Sequence, residues 1–295
     1  MISITKCPIC KLERFESFLK IKDHSISGEY FNLEICASCR FIITSPRPDT
    51  EQLGAYYLSE NYISHSDTNT GLVNKIYRRI RQFTIKQKIA LIRKFHQNPR
   101  LLDIGSGAGY FLNECQTQGF NCFGIEPDLN TRSNSINKFN IQVFDELYIN
   151  QIPAESVDVI TMWHVLEHVP ELNQRLEEIR KILKPNAYLI IAVPNCNSFD
   201  TGYYKEYWAG YDVPRHLWHF TPETIINLLN RYSFSHIETR PMYFDAYYVA
   251  MLSEKYKGNF AGLARGFVTG FISNAIASFS KNNRYSSQIY IFRKQ

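Results

Sequence analysis

Four cysteines near the start of the chain are spaced like the ligands of a metal ion. They form two C-x-x-C pairs, Cys7 with Cys10 and Cys36 with Cys39. Each pair can offer two thiolates from one tight turn, and two such turns facing each other give the tetrahedral sulfur set that Zn²⁺ prefers. The stretch between the pairs is somewhat longer than in the usual zinc pattern, but it is short enough to fold back on itself. We expect a purely structural zinc site, because four thiolates leave no open coordination position for catalysis.

A glycine-rich turn follows a short apolar strand predicted over residues 101–104. Its glycines are Gly105, Gly107 and Gly109. Glycine lets the backbone approach a ligand, and the helix that begins after the turn offers free N–H groups at its N-terminus. The dinucleotide fingerprint G-x-G-x-x-G would put a glycine at Tyr110, so nicotinamide and flavin cofactors fit less well. Asp103 would repel a pyrophosphate but suits the cationic amino and sulfonium groups of S-adenosylmethionine, so the charge pattern favours that cofactor.

Two further carboxylates are predicted at the same edge of a sheet. Glu126 ends the next strand, about 20 residues beyond the glycine turn, which is where an acidic side chain meets the ribose hydroxyls in Rossmann-like folds. A third predicted strand, residues 141–144, is followed by Asp145. Asp145 could accept a hydrogen bond from the adenine amino group, or it could belong to a surface turn.

Several of these motifs together resemble a known family. The runs LLDIGSGAGYFL, GIEPD and VDVITMWHVLEHV are similar to class I methyltransferases of the ubiquinone-biosynthesis type, and YDVPRHLWHFTPET is similar to a segment of bacterial members with an N-terminal zinc knuckle. The resemblance covers nearly the whole chain. It departs at Ser106, often cysteine in the family, and at Arg40, where a glycine commonly follows the last knuckle cysteine. It implies that Trp163 and His164 flank the adenosyl or methionyl part of S-adenosylmethionine.

The elements that must position these residues follow from the alternation of apolar strands and helical stretches after Arg100. We predict an α/β fold: a doubly wound, mostly parallel, seven-stranded Rossmann-like methyltransferase sheet whose last strand is antiparallel, preceded by a small zinc-ribbon-like domain. The predicted parts are a four-cysteine domain over residues 1–45, a linker and basic helical segment over 46–98, and a methyltransferase domain over 99–295 with a lid insertion at 194–221.

The predicted lid insertion is rich in tyrosine, tryptophan and histidine and follows the fifth strand, where ligands bind on open α/β sheets. This density suits a lid over a flat or apolar acceptor, or else a satellite core under a long loop. Methyl transfer to oxygen or carbon needs a base, and His216 and His219 are the candidates because imidazole titrates near neutral pH. A structural role is the alternative for each of them.

The run from His164 to His168 also fits H-x-x-E-H, a zinc-protease signature. That activity requires a long helix through the motif and a third ligand. Here the motif follows a strand directly, and Pro170 would end or restart a helix. We therefore do not favour a protease and interpret His168 as a core histidine.

Composition and charge indicate where the protein is located and which surfaces could interact with a partner. The first residues lack the pattern of a secretory signal, so we expect a cytoplasmic protein. Between Asp67 and Asp103 there are nine basic residues and no acidic one, which indicates a solvated helix face or a surface for an acidic substrate, a membrane or RNA. Residues 260–279 are apolar with small residues and could dock within the protein, on a second copy or on a membrane surface.

The function that these features favour is methyl transfer from S-adenosylmethionine to an oxygen or carbon of a small-molecule acceptor, such as a sugar, a lipid-linked compound or a quinone. An RNA methyltransferase is the alternative within the same enzyme class, since zinc knuckles also occur there, although the net charge of +5 is modest for an RNA-binding protein. A non-catalytic, cofactor-binding scaffold is the third possibility. The oligomeric state is not predictable from these motifs.

Overall fold

Two β-sheets organise the computed structural model, which describes residues 1–57, 72–280 and 284–295. In chain order the strands are β1 (Phe15–Lys22), β2 (Tyr30–Cys36), β3 (Ile42–Thr44), β4 (Arg100–Ile104), β5 (Asn121–Ile125), β6 (Val143–Phe144), β7 (Val157–Trp163), β8 (Leu183–Pro194), β9 (Trp218–His219), β10 (Phe234–Pro241) and β11 (Ser287–Lys294). The α-helices are α1 (Thr50–Leu53), α2 (Leu72–Phe95), α3 (Tyr110–Thr117), α4 (Leu129–Phe139), α5 (Leu172–Ile182), α6 (Phe199–Tyr204), α7 (Pro222–Asn230), α8 (Tyr243–Tyr256) and α9 (Gly262–Phe279).

The larger sheet has seven strands in the order β10-β11-β8-β7-β4-β5-β6. Its five strands from β8 to β6 are parallel, whereas β11 runs antiparallel to both of its neighbours. Successive side chains of a strand point to opposite faces, so Leu101 packs with α2 and α3 while Leu102 packs in the core that contains α5 and α7. The predicted doubly wound, mostly parallel sheet with an antiparallel last strand is confirmed.

The smaller sheet is antiparallel, in the order β1-β2-β3-β9. Its fourth strand comes from the segment that we predicted as a lid. Phe41 stacks on Trp218 across this junction, with ring centroids 6.1 Å apart. Arg215 is 1% exposed and forms ion pairs with Asp23 of the β1–β2 loop at 3.0 Å and with Asp212 at 2.7 Å. The N-terminal sheet and the later segment therefore share one core, while the predicted domain boundaries stay a prediction.

The aromatic residues of the predicted lid form a satellite core, which is the second of the two possibilities given above. Tyr204, Trp208 and Tyr211 are almost fully buried and pack with residues of β1 and β2. Their burial closes the junction between the two sheets, so these rings hold the segment in place.

Helix α2 is one continuous helix, and most of its basic side chains are exposed or half-buried. Residues 58–71 of the predicted linker lie outside the described residues. Among the helices that the structure describes, none combines the length and the apolar character needed to cross a membrane.

Candidate functional site

The glycine turn between β4 and α3 has the geometry of a loop that wraps a ligand. Its three glycines all have positive φ, +72° at Gly105, +52° at Gly107 and +77° at Gly109. A Cβ atom at Gly105 would lie 2.4 Å from Val165, and one at Gly109 would lie 2.6 Å from Ile141. A Cβ at Gly107 would meet nothing within 4 Å. Side chains therefore pack tightly against the first and third glycines of the turn, while the space at the central glycine is open.

Asp103 lies at the carboxyl end of β4, where the sheet register places it beside Thr161 of β7. The carboxylate is 2% exposed and accepts a hydrogen bond from Thr161 Oγ1 at 2.6 Å. Burial raises the pKa of Asp103 to about 7, against the opposing effects of the Thr161 hydrogen bond and the Lys88 charge. The group is thus a buried carboxylate that titrates near neutral pH.

Glu126 follows β5 and lies against the glycine turn. Its carboxylate accepts the N–H of Gly107 at 2.8 Å and the N–H of Asp128 at 3.1 Å. Asp145 follows β6, as predicted, but its Oδ1 accepts from the amides of Leu147 and Tyr148 and so caps the short helix Glu146–Gln151. Glu126 has the position expected of a ribose ligand, whereas an adenine contact by Asp145 stays a prediction.

Trp163 and Lys88 meet at the same edge of the sheet. The Lys88 ammonium lies 4.1 Å from the centroid of the Trp163 ring, and Phe111 packs on that ring edge-on. Burial lowers the pKa of Lys88 to about 8, although the charges of Asp103 and Asp245 favour its ammonium form. The Trp163 Nε1 group is buried and has no hydrogen-bond acceptor among the described residues.

Lys88 belongs to none of the sequence motifs described above. It shares a helix face with Ile85, Ile89 and Ile92, all of them buried, at the spacing of an apolar stripe. A lysine within such a stripe is the signal that could have identified it, because a charge in that position is drawn towards the core.

His164 lies between two carboxylates. Its Nε2 atom is 2.9 Å from Asp245 of α8, and its Nδ1 atom is 3.3 Å from Glu167. Burial would lower the pKa of His164, but the two ion pairs outweigh it and raise that pKa to about 10. The side chain is therefore an imidazolium at neutral pH and has no free site for a proton.

Glu167, which also pairs with His164, forms a second cluster with His168 and His216, and the potential ligand atoms of these three residues all lie within 4.8 Å of one another. Glu167 is 1% exposed, and His164 Nδ1, at 3.3 Å, is its charged partner. His168 Nδ1 contacts the carbonyl oxygen of Arg215 at 3.0 Å, and His216 Nδ1 contacts that of Gly210 at 2.9 Å. A carbonyl oxygen can only accept, so the Nδ1 atom of each ring carries a proton, which His168 shares between the Arg215 carbonyl and the Tyr57 hydroxyl at 3.0 Å. The neutral form of either ring leaves Nε2 as an acceptor.

Three acceptor groups thus converge in this cluster, which we call the Glu167–His168–His216 cluster. Such a set attracts either a proton from an acceptor molecule or a divalent metal ion, for which two imidazoles and a carboxylate are ordinary ligands. Burial lowers the pKa of His168 to about 4, and the charge of His216 acts in the same direction. His168, interpreted from the sequence as a core histidine, therefore belongs to a polar cluster.

His219, the second candidate base, lies in the smaller sheet, and its role in catalysis stays a prediction. It is 4% exposed, lies in β9, and its Nε2 atom is 2.9 Å from Thr44 Oγ1. The Thr44 hydroxyl donates its own proton to the carbonyl oxygen of His216 at 2.7 Å, so it must accept from His219 Nε2–H. The Nε2 atom is thus engaged as a donor, and burial lowers the pKa of His219 well below its usual value, so we expect a structural role.

The four predicted zinc ligands form one cluster. Their sulfur atoms lie within 4.8 Å of one another, with Cys7 to Cys39 at 3.5 Å and Cys10 to Cys36 at 3.4 Å. A Zn–S bond of about 2.3 Å in a tetrahedron corresponds to sulfur separations of about 3.8 Å, so the donor set fits Zn²⁺. Lys11 and Arg40, which directly follow the two pairs, have φ of +66° and +62°. Arg40 thus adopts the left-handed conformation for which a glycine is common at this place.

The order of the larger sheet, the glycine turn and the acidic residues at the strand ends define a class of Rossmann-like proteins that bind a nucleoside cofactor. The sequence model of the methyltransferase-domain family matches residues 77–239, and the chain belongs to this family. The prediction of a class I methyltransferase is confirmed.

Curated relatives are similar to the chain at low identity. The ubiquinone biosynthesis O-methyltransferase of Rickettsia akari (strain Hartford) is 26% identical over 142 residues, which are 45% of this chain and 57% of that protein. The enzyme of the same name from Hydrogenovibrio crunogenus is 26% identical over 158 residues, 50% of this chain and 60% of that protein. The chain thus spans little more than half the length of the curated relatives it matches.

Solved structures share the fold. A SAM-dependent methyltransferase from Archaeoglobus fulgidus superimposes with a TM-score of 0.51 at 20% identity, covering 72% of this chain and 94% of that one. The phosphoethanolamine N-methyltransferase 2 of Haemonchus contortus, solved with S-adenosyl-L-methionine, gives a TM-score of 0.50 at 16% identity, covering 71% and 52%. These similarities concern the fold alone.

The site fits S-adenosylmethionine, the methyl donor that the family membership supports. The open space at Gly107, the carboxylates of Asp103 and Glu126, and the unpaired Trp163 Nε1 group are what a cationic nucleoside would use. The individual ligands stay predictions.

The affinity for S-adenosylmethionine is expected to fall as the pH decreases through about 7. Asp103, with its raised pKa, becomes protonated there, and a neutral carboxyl no longer attracts a cationic ligand. The dissociation constant, measured by calorimetry between pH 6 and pH 8, should rise up to about tenfold per pH unit on the acid side. Asp103→Asn should bind weakly at every pH, and an affinity of the unmodified protein that does not change with pH would contradict the assignment.

Proposed function

We propose that this protein transfers the methyl group of S-adenosylmethionine to a hydroxyl oxygen of a small-molecule acceptor. The observation that carries the proposal is the Glu167–His168–His216 cluster, which gathers proton acceptors beside the cofactor edge of the sheet. The curated relatives named as O-methyltransferases support oxygen as the acceptor atom. Identity of 26% supports the type of reaction better than any one substrate.

Methyl transfer requires the protein mainly to align the acceptor oxygen with the methyl group and to remove a proton. The acceptor oxygen attacks the methyl carbon, the bond from that carbon to sulfur breaks, and the sulfur takes the electron pair to become a neutral thioether. A positively charged sulfur already activates the methyl group, so holding both reactants in line supplies much of the rate. Asp103 and Glu126 would hold the cofactor in this arrangement.

The hydroxyl proton goes to His216 in this proposal. His164 is excluded because its two ion pairs keep it protonated, and His168 is a poor base because its pKa is lowered to about 4. His216 offers Nε2, its Nδ1–H being donated to the Gly210 carbonyl. The Glu167 carboxylate nearby would stabilise the imidazolium that forms, since Glu167 is buried and its pKa is held below the usual value by the neighbouring histidines.

An acceptor screen tests the proposal. The protein is incubated with methyl-labelled S-adenosylmethionine and, separately, with catechols and other phenols, sugar nucleotides, a polyprenyl quinol and ribosomal RNA. We expect a methyl ether of a hydroxylated small molecule, together with an equal amount of S-adenosylhomocysteine. Label in the RNA arm would instead favour the RNA methyltransferase, and tight cofactor binding without transfer to any acceptor would favour the scaffold.

A further inference from the structure

Helix α9 exposes its apolar side and buries its polar one. Its exposed large side chains are Leu263, Phe267, Val268, Phe271, Ile272, Ile276 and Phe279. Arg265 and Ser278 are the only polar residues of this helix on its exposed side. Phe260, directly before the helix, is also fully exposed. A helix on the surface of a globular protein in water normally shows the opposite arrangement.

The buried side of α9 is made of small and polar residues that pack against α8. A Cβ atom at Gly266 would lie 2.4 Å from Met251 Cα, and one at Gly270 would lie 2.8 Å from Tyr247 Cα, so only glycine allows the two backbones to come this close. Ser273 donates a hydrogen bond to the buried Asp200 at 2.9 Å. Glycines four residues apart with polar residues between helices are the packing mode of helices surrounded by lipid.

We propose that the α8–α9 hairpin binds an anionic lipid surface, with α9 lying in the plane of the membrane interface. The exposed apolar side chains spread over about half of the circumference of α9, as follows from about 100° per residue. Lipid can cover such a convex surface completely. An in-plane position also agrees with the finding that no described helix is long and apolar enough to span a bilayer.

The charges of the hairpin select the type of lipid. Between residues 242 and 280 the basic side chains are Lys255, Lys257 and Arg265, all of them exposed, and Arg265 lies 4.0 Å from the Glu254 carboxylate, which leaves the two lysines as the outward charges. The two acidic ones are engaged within the protein: Asp245 pairs with His164, and Glu254, which is 1% exposed, accepts a hydrogen bond from Tyr204. The outward charge of the hairpin is therefore positive, which favours anionic head groups.

The same hairpin borders the site described above, because Asp245 of α8 holds His164. Together with the proposed function, on which this step alone rests, this contact places the acceptor site next to a lipid surface. Such a position suits an acceptor that is dissolved in the bilayer. The lipid-binding surface itself follows from α9 and the charges of the hairpin.

Co-sedimentation of the full chain with vesicles tests the surface. The vesicles contain phosphatidylglycerol and phosphatidylcholine, and a parallel set contains phosphatidylcholine alone. We expect binding to the anionic vesicles that weakens in high salt and weaker binding to the neutral ones. Phe267→Glu and Phe271→Glu should each lower the partition coefficient at least about tenfold, because a carboxylate does not enter the acyl region. Leu129→Glu is the matched control: Leu129 is 63% exposed, close to Phe267 at 58%, but lies on α4.

The proposal is overturned if the unmodified chain does not bind anionic vesicles, or if the phenylalanine variants bind as well as the control. A second copy of the chain is the main alternative to lipid as the partner of this face. Light scattering after gel filtration tests it: a dimer that dissociates on either of the same two substitutions would make the face an interface between two copies. Calorimetry with S-adenosylhomocysteine checks that each variant is folded. Methyl transfer to a water-soluble acceptor is measured separately, so a failure of the proposed reaction and a failure of lipid binding give different results.

Discussion

Replacing His216 with asparagine is expected to lower turnover by about 100-fold to 10,000-fold, the usual contribution of a general base. The affinity for S-adenosylhomocysteine should stay nearly unchanged, because His216 contacts the Gly210 carbonyl, Glu167 and His168 rather than the glycine turn. The measurement is kcat with labelled cofactor, at several pH values, beside calorimetry with the product.

His219→Gln is the matched control for this experiment. His219 is three residues away on the same segment and is also buried, but its Nε2 atom donates to Thr44. We expect a lower melting temperature, because a buried hydrogen bond is disturbed, and a kcat per folded molecule close to that of the unmodified protein. A loss of turnover in His219→Gln as large as in His216→Asn would show that the proton does not go to His216.

A second large effect is expected when the cysteine cluster is broken. Cys36→Ser should reduce the zinc content, measured by inductively coupled plasma mass spectrometry, from one ion per chain to none. Binding of structural zinc contributes about 10 kcal/mol or more, which is comparable to the whole stability of a domain. The small sheet should therefore unfold, and with it β9, which pairs with β3. Acceptor turnover should be lost because β9 and His216 belong to the same segment.

Cys122→Ser serves as the control for the metal experiment. Cys122 is a half-buried cysteine of β5 outside the four-sulfur cluster, so zinc content should be retained. In Cys36→Ser, binding of S-adenosylhomocysteine should survive in part, since the glycine turn, Asp103 and Glu126 belong to the larger sheet. Full zinc content in Cys36→Ser, or an unchanged melting temperature, would disprove a structural zinc site at these cysteines.

Particular elements explain how much of the site was predictable. The glycine turn and the carboxylates at the carboxyl ends of β4, β5 and β6 follow from local spacing, because parallel strands bring their carboxyl ends to one edge whatever the rest of the chain does. The side chains that interact with those residues cannot be predicted from local spacing. Lys88 lies in a helix that precedes the sheet, and Asp245 lies in a helix near the end of the chain, and neither belongs to a motif.

The roles of the histidines could not be predicted from local spacing either. His216 and His219 were equivalent from sequence, since both lie in an aromatic segment after the fifth strand. The contact of His219 with Thr44, which is far away in the chain, distinguishes them. For the same reason the motif that contains His164, Glu167 and His168 could be assigned to the cofactor edge, but the ion pair of His164 and the polar cluster that shares Glu167 with it could not be predicted.

By itself the sequence determined the doubly wound sheet, the methyltransferase family and the four cysteines as a set, because hydrophobic periodicity, turn glycines and ligand spacing act over short stretches of chain. The tertiary structure alone decided that β9 completes the N-terminal sheet, that His219 is a donor, that His164 is charged, and that α9 turns its apolar side outward. The physical reason is that proton positions, pKa values and exposure depend on groups that are distant in sequence and meet only when the chain has folded.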